Sequence, residues 1–241
     1  MGIHTTEAIV LRQYPFRETS VTVTCFSDRF GKFKGLVKGL RAQPSRHRSH
    51  MEPLTVNRLV FYDTLTSHLH LISQCELLQP LSGLQRDVET FRLAAWCSEL
   101  VEAVMPLEEP HPGAYGLLKN ALVRLEQGWT DAPSLEAHFL VRVLRVAGFQ
   151  PQVDECTGCG RRVRSRAHWS ARQGGLLCEA CLHHDPRAAE IPPAVLDTLE
   201  QLAEAELPPT LEPALAHALR GRLDDFVRWR LDRPLKTVGQ S

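Results

Sequence analysis

Long apolar runs are absent from this 241-residue sequence. A membrane-spanning helix needs roughly 18 or more consecutive apolar residues, and no stretch approaches that length. Residues 1–4 also lack the charged and apolar regions with which a secretory signal peptide begins. We therefore expect a soluble, cytoplasmic protein.

Motifs of nucleotide hydrolysis and of metal-dependent hydrolysis are absent as well. Residues 35–39 do not follow the GxxxxGK[ST] order of a phosphate-binding loop, so nothing in the sequence indicates ATP use. No HExxH motif occurs. The adjacent carboxylates at 108–109 and at 224–225 would point about 100° apart on a helix, so neither pair converges on a substrate. We expect no enzymatic activity.

Two histidines, His68 and His70, lie two residues apart on a predicted strand, so their side chains share one face of it. A histidine pair can bind a metal ion, but the sequence offers no third ligand nearby. We therefore expect both histidines to have a surface or edge role.

Net charge is also absent, but the charged residues are distributed unevenly. The 28 basic and 28 acidic side chains cancel, and a net charge of zero favours no particular partner. Residues 29–50 nevertheless contain seven lysines and arginines and no acid, whereas residues 81–155 contain eleven acids and six basic residues. The basic charge is therefore concentrated in one part of the N-terminal region.

Four of the seven cysteines form two CxxC pairs. Cys156 and Cys159 are separated from Cys178 and Cys181 by 18 residues. This spacing lies within the roughly 15–20-residue interval that is typical of four-cysteine zinc sites. Four thiolates complete a tetrahedral shell and leave no position for water, so the sequence predicts a structural zinc ion and not a catalytic one.

Other interpretations of the cysteines stay open at this point. A redox-active CxxC or a chance pair would explain one pair more readily than two at this spacing. A mixed shell in which His183 or His184 supplies a ligand is a further alternative. The remaining Cys25, Cys75 and Cys97 lie in apolar segments, and we expect them to be small buried side chains.

Residues 3–78 have the composition and alternation of β-strands, and residues 28–31 supply a turn that ends in glycine. Five strands in about 75 residues, without a helix to connect parallel neighbours, favour a small closed barrel. A sandwich would need about seven strands. The sequence therefore predicts an OB-type barrel over residues 1–80 as a nucleic-acid-binding domain.

After Pro80 the apolar period changes from 2 to about 3.6, which indicates helices. The pattern predicts a helix over about 83–105, two more that stop at Gly128 and Gly148, and further helices towards the C-terminus. We therefore predict an α+β protein with a helical domain over 81–241. The zinc module, residues 152–186, would be an insertion in that domain.

Basic residues alternate with Phe30 and Phe33 in the N-terminal region, and grooves for single-stranded nucleic acid combine cations with aromatic rings in this way. The alternatives are a solvated charged loop and a core position for Phe33. A second basic cluster lies beside the first CxxC pair, where part of its charge balances the thiolates. The candidate nucleic-acid contacts are Arg29, Lys32, Lys34, Lys38, Arg41, Arg46, Arg48, Arg161, Arg162, Arg164 and Arg166.

Several segments resemble the RecO family of recombination mediators, which are bacterial DNA repair and DNA recombination proteins. The resemblance spans nearly the whole chain and is specific in combination. It is carried by Thr6–Arg12, Glu18–Ser20, Asp28–Lys32, Val37–Gly39, Cys156–Gly160, Gly174–Cys178 and Arg233–Thr237. The chain departs from the family at Leu40 and Ala42, where small or basic residues are usual.

The resemblance implies an OB barrel, a helical bundle and a zinc module. It also implies binding of single- and double-stranded DNA, annealing of complementary strands, and partnership with RecR and single-stranded-DNA-binding protein in loading RecA. The residues alone leave a second possibility, a zinc-ribbon scaffold that contacts proteins and has incidental nucleic-acid affinity. A metal-dependent nuclease is a third.

Overall fold

The computed structural model describes residues 2–41, 51–64, 67–129, 131–163 and 165–231. Contacts divide the chain into two compact units, Met1–Thr130 and Asp131–Ser241. Within the described ranges, no helix is both long and apolar enough to cross a membrane. Four sets of residues considered above lie outside the described ranges, namely Ala42, Arg46 with Arg48, Arg164, and Arg233–Thr237.

The first unit contains a closed barrel whose strands follow the order β1-β2-β3-β5-β4. Strands β3 and β5 are parallel, and the other pairs are antiparallel. The predicted five-stranded OB-type barrel is therefore confirmed. The strands are β1 Ile3–Phe16, β2 Ser20–Ser27, β3 Gly31–Val37, β4 Val56–Tyr62 and β5 Leu69–Gln79.

Alternation along β3 separates the barrel core from the outer surface. Phe33 and Val37 are buried in the core cluster, whereas Lys34 and Lys38 are exposed. The Phe33 ring stacks on Phe61 at 4.9 Å between centroids, and Phe33 is only 1% exposed. Phe33 is therefore a core residue and offers no platform for stacking a base.

We expect Phe33→Ala to lower the free energy of unfolding by about 3–5 kcal/mol, because truncation of a fully buried phenylalanine leaves a cavity. Leu36→Ala, on the half-exposed outer side of the same strand, is the matched control and should cost much less. Urea unfolding followed by circular dichroism measures both changes. Equal, small losses would place the Phe33 ring outside the core.

The helices of the first unit follow the barrel. A 3₁₀ turn at Ser82–Gln85 precedes α1, Val88–Val104, and α2 spans Pro112–Glu126. The sequence predicts one helix from about 83, but α1 begins later because the Asp87 carboxylate accepts the Thr90 N–H at 2.8 Å and caps a new helix. The helix ends before Pro106, as predicted.

The second unit combines helices with a four-stranded sheet in the order β6-β8-β7-β9. The helix α3 packs against both α4 and α5. This confirms an α+β fold in which a sheet interrupts a helical sequence. The elements are α3 Ala132–Val146, β6 Gln152–Cys156, β7 His168–Ser170, β8 Gly175–Leu177, β9 Ala189–Glu190, α4 Pro193–Glu204 and α5 Pro213–Leu231.

An ion-pair network connects α3 with α5. The Arg220 guanidinium contacts the Glu136 carboxylate and donates to Asp224 at 2.8 Å, and all three side chains are less than one-fifth exposed. Burial raises the pKa of Asp224, although Arg220 opposes the increase.

Two points of domain organisation stay predictions. They are the domain boundary at residue 80 and the insertion of residues 152–186 in the helical domain.

Candidate metal centre and nucleic-acid interface

The four cysteines of the two CxxC pairs lie together. Their sulfur atoms are all within 4.8 Å of one another, and the Sγ atoms of Cys159 and Cys178 are 3.8 Å apart. Zinc–sulfur bonds of about 2.3 Å in a tetrahedron place neighbouring sulfurs about 3.8 Å apart. The cluster therefore has the ligand type and the dimensions to hold a four-coordinate metal ion.

Local folding of the two knuckles directs their sulfurs to one point. The strand β6 ends at Cys156, and β8 stops one residue before Cys178. The backbone N–H groups of Gly158 and Cys178 both donate to Cys156 Sγ at 3.4 Å. A Cβ at Gly158 would lie only 3.1 Å from Cys181 Sγ, so a larger residue there would have to displace the neighbouring knuckle slightly.

The thiols of the cluster have different acidities. Burial by itself raises the pKa of the Cys156 thiol. The backbone N–H groups of Cys178, Gly158 and Cys159 outweigh burial and lower that pKa to about 6. Burial, together with contacts to the neighbouring sulfurs, raises the pKa of Cys181 to about 12. A divalent cation would relieve the repulsion between four thiolates and favour their complete deprotonation.

The histidine alternative is not supported by the geometry. In the described ranges, the group that can hold a metal ion consists of the four cysteines, without His183 or His184. The Nδ1 atom of His183 instead lies 3.0 Å from the Ala180 carbonyl oxygen.

Two cysteines of the barrel differ in burial. Cys25 is fully buried, as predicted for a small core side chain, whereas Cys75 is only half-buried. Burial raises the pKa of both thiols.

The predicted cations of the barrel fall into two groups. Lys34, Lys38 and Arg41 are exposed, and within the described part of the chain no carboxylate forms an ion pair with them. Lys32 is different, because its ammonium group donates to the Glu102 carbonyl at 2.5 Å. The Arg29 guanidinium lies over the Phe30 ring, 5.6 Å from its centroid. The freely available charge is therefore at Lys34, Lys38 and Arg41.

The described residues of the second basic cluster, Arg161, Arg162 and Arg166, also differ in their ion-pair partners. Arg161 and Arg162 are exposed, and in the described ranges neither has an ion-pair partner. Arg166 lies 3.3 Å from Glu179, and both side chains are more than half exposed. The Arg161 backbone carbonyl accepts the Cys156 N–H at 2.8 Å. The backbone of this cluster therefore helps to build the first knuckle, while two of its guanidinium groups face solvent.

Known proteins with similar sequences decide the family. Residues 1–81 match the family described as recombination protein O, N terminal, and residues 85–238 match recombination protein O, C terminal. The chain belongs to the recombination protein O family. The two matches together cover most of both units of the chain.

Similar individual proteins are each named DNA repair protein RecO. The protein from Desulforudis audaxviator is 32% identical over 204 residues, which are 85% of this chain and 80% of the relative. That from Desulforamulus reducens is 25% identical over 243 residues, covering 99% and 93%. That from Rhodopirellula baltica is 30% identical over 207 residues, covering 84% and 76%.

The histidine pair has a partner that the sequence did not indicate. Glu108 Oε1 lies 3.0 Å from His68 Nδ1 and 3.2 Å from His70 Nε2. The Thr64 N–H donates to His70 Nδ1, which leaves Nε2 to carry the proton and donate to Glu108. A protonated Nε2 is not a metal ligand, so the cluster is a hydrogen-bonded one. Glu108 is 40 residues from His68 in sequence, which is why no local pattern predicted it.

Proposed function

We propose that the chain is a DNA-binding recombination mediator in DNA repair. It anneals complementary single strands and, together with RecR, assists the loading of RecA onto DNA coated with single-stranded-DNA-binding protein. It works in the cytoplasm by binding and not by catalysis. Family membership supports the general role, and the exposed cations of the barrel support the contact with DNA.

The observation that carries the proposal is the outer face of β3. Lys34 is exposed on that face, Lys38 and Arg41 are exposed in the turn that follows the strand, and none of the three has an ion-pair partner in the described ranges. Free cations on one face attract phosphates and gain free energy by releasing the counterions of DNA. Because Phe33 is in the core, this face binds phosphates and offers no Phe33 ring to stack on a base.

Binding of DNA through its phosphates favours annealing. Two complementary strands repel each other through their backbones, whereas duplex formation is favourable once they meet. A basic surface that neutralises phosphates raises the local concentration of strands and lowers this repulsion, while the base edges stay accessible. The process needs no nucleotide hydrolysis, and the sequence contains no phosphate-binding loop.

The four-cysteine cluster completes the proposal. We assign zinc to Cys156, Cys159, Cys178 and Cys181, because thiolates are the ligands that zinc favours and the sulfur separations fit a tetrahedral shell. Zinc with four protein ligands would supply folding free energy to the knuckles and their sheet. The shell has no open position, so the metal has no chemical step to perform.

Annealing of labelled complementary oligonucleotides tests the function. Without ATP and at low salt, the chain should accelerate annealing of bare strands and of strands coated with single-stranded-DNA-binding protein. Raising the salt should remove the acceleration, because the effect is electrostatic. A rate equal to that of the protein-free control at low salt would contradict the mediator role and favour the scaffold interpretation.

A further inference from the structure

A cavity of about 670 Å³ lies in the second unit and contains none of the four cysteines. It is formed by β7, the turns that follow residues 170 and 184, and the outer side of α5. Its volume is within the roughly 300–1,000 Å³ of small-molecule sites.

The cavity has an excess of unpaired positive charge. Arg172 and Arg187 are exposed, and within the described ranges neither forms an ion pair or a side-chain hydrogen bond. Arg222 also lines the cavity, and one of its amino groups donates to the Ala218 carbonyl at 2.9 Å. Guanidinium groups without carboxylate partners favour an anion, above all a phosphate, which they can bind through two parallel hydrogen bonds.

The carboxylates of the cavity do not cancel this charge. Asp185 accepts the Ser170 hydroxyl at 2.6 Å and the Arg187 N–H at 3.2 Å, so it is used to build the turn. Asp225 also lines the cavity; its side chain is 65% exposed and lies 3.9 Å from Arg228, a residue that does not line the cavity. Three guanidinium groups therefore face two carboxylates, which leaves one net positive charge in the cavity lining.

Two tryptophans supply an apolar surface beside the arginines. Trp169 is buried in the wall, where its ring lies 6.1 Å from that of Phe226. Trp229 on α5 is 61% exposed, which leaves one of the largest apolar side chains in contact with water. A free phosphate would use the arginines and leave this ring exposed. A nucleotide would use both, because its base can stack on an aromatic ring while its phosphate meets the cations.

We propose that this cavity binds one nucleotide of a single DNA strand, with its base stacked on Trp229 and its phosphates held by Arg172 and Arg187. The proposal rests on the proposed DNA-binding function and adds a base-contacting site to it. The barrel face holds phosphates, whereas this site also orders one base. Stacking does not depend on base identity, so the site accepts any sequence.

Binding of a short fluorescent oligothymidylate at about 0.1 M salt tests the site. Trp229→Ala should weaken binding by at least about fivefold, and Trp229→Phe should restore most of the affinity because it keeps a ring for stacking. Arg172→Ala with Arg187→Ala should make the log–log salt slope shallower by about 1.4 for two lost phosphate contacts. Arg92→Ala, which removes a cation paired with Glu89 on α1 and away from the cavity lining, is the charge control and should change little.

Photocrosslinking locates the base directly. An oligonucleotide carrying 5-iodouracil should crosslink to a peptide that contains Trp229. Crosslinks confined to the barrel, or cavity variants that bind like the Arg92→Ala control, would overturn the cavity site while leaving DNA binding intact. Wild-type protein that binds no oligonucleotide at low salt would instead refute the proposed function. If Trp229→Ala abolished binding of an acidic peptide but left DNA binding unchanged, the cavity would be a site for a protein partner, and the proposal would also be overturned.

Discussion

Cys159→Ser is expected to release the metal and to unfold the knuckles locally. The neutral hydroxyl of serine cannot replace a thiolate ligand, and metal binding supplies roughly 10 kcal/mol or more to the folding of small zinc domains. The loss should be confined to about residues 152–186, because the barrel and the helices have their own apolar cores. Metal analysis should find about one zinc per wild-type chain and much less in the variant.

Hydrogen exchange separates a local loss from a global one. Amides in β6 and β8 should exchange much faster in Cys159→Ser, while those of β1 to β5 keep their protection. Cys75→Ser is the matched control, because it makes the same chemical change at a half-buried cysteine of the barrel. Wild-type protein without zinc, or a variant that keeps a full complement, would refute the assignment.

The combined variant Lys34→Ala, Lys38→Ala and Arg41→Ala should lose most of the affinity for single-stranded DNA. If the wild-type protein neutralises four to six phosphates, its log–log salt slope is roughly −3 to −4. Removing three contacts should make that slope shallower by about 2 and weaken binding by about 100-fold near 0.1 M salt. A filter-binding titration at several salt concentrations measures both quantities.

The matched control removes three other cations. Arg58, Arg92 and Arg228 are each ion-paired with a carboxylate, so replacing them with alanine gives the same change in net charge without removing free cations. We expect this control to bind DNA nearly as well as the wild type. Equal losses in the two triple variants would mean that net charge, and not the β3 face, determines affinity. Unchanged binding in the β3 variant would move the main contact to Arg161 and Arg162.

Local patterns in the sequence were sufficient for several features. The spacing of the CxxC pairs predicted the cysteine cluster, because the separation along the chain of residues that share a tetrahedral shell is short and regular. Alternation along residues 31–37 predicted that Lys32 and Lys34 face away from Phe33, since successive side chains of a strand point to opposite faces. Helix periodicity after residue 80 depends equally on near neighbours.

The family resemblance added what no local pattern contains. Short motifs distributed from Thr6 to Thr237 pointed to recombination protein O, and the matches over residues 1–81 and 85–238 confirmed it. Composition by itself could not have done so, because the net charge of the chain is zero. The mediator activity and its partners are inferred from the family and not from any residue pattern.

Side-chain roles depended on tertiary structure. Lys32 and Lys34 look equivalent in sequence, yet the ammonium group of Lys32 is used by the Glu102 carbonyl, 70 residues away. Phe33 was compatible with a core or a stacking role until its contact with Phe61 placed it in the core. Both contacts join residues that are distant along the chain, and no local period records such pairs.

The sequence by itself therefore determined the five barrel strands, the helical character after residue 80, the cysteine cluster and the family, because these depend on spacing over short stretches or on motifs that can be compared directly. Tertiary structure alone decided which cations are free, which histidines meet Glu108, and that Arg172, Arg187 and Trp229 line one cavity. The physical reason is that burial and ion pairing are set by packing between segments tens of residues apart. The partners that a side chain meets in such packing cannot be read from its neighbours in sequence.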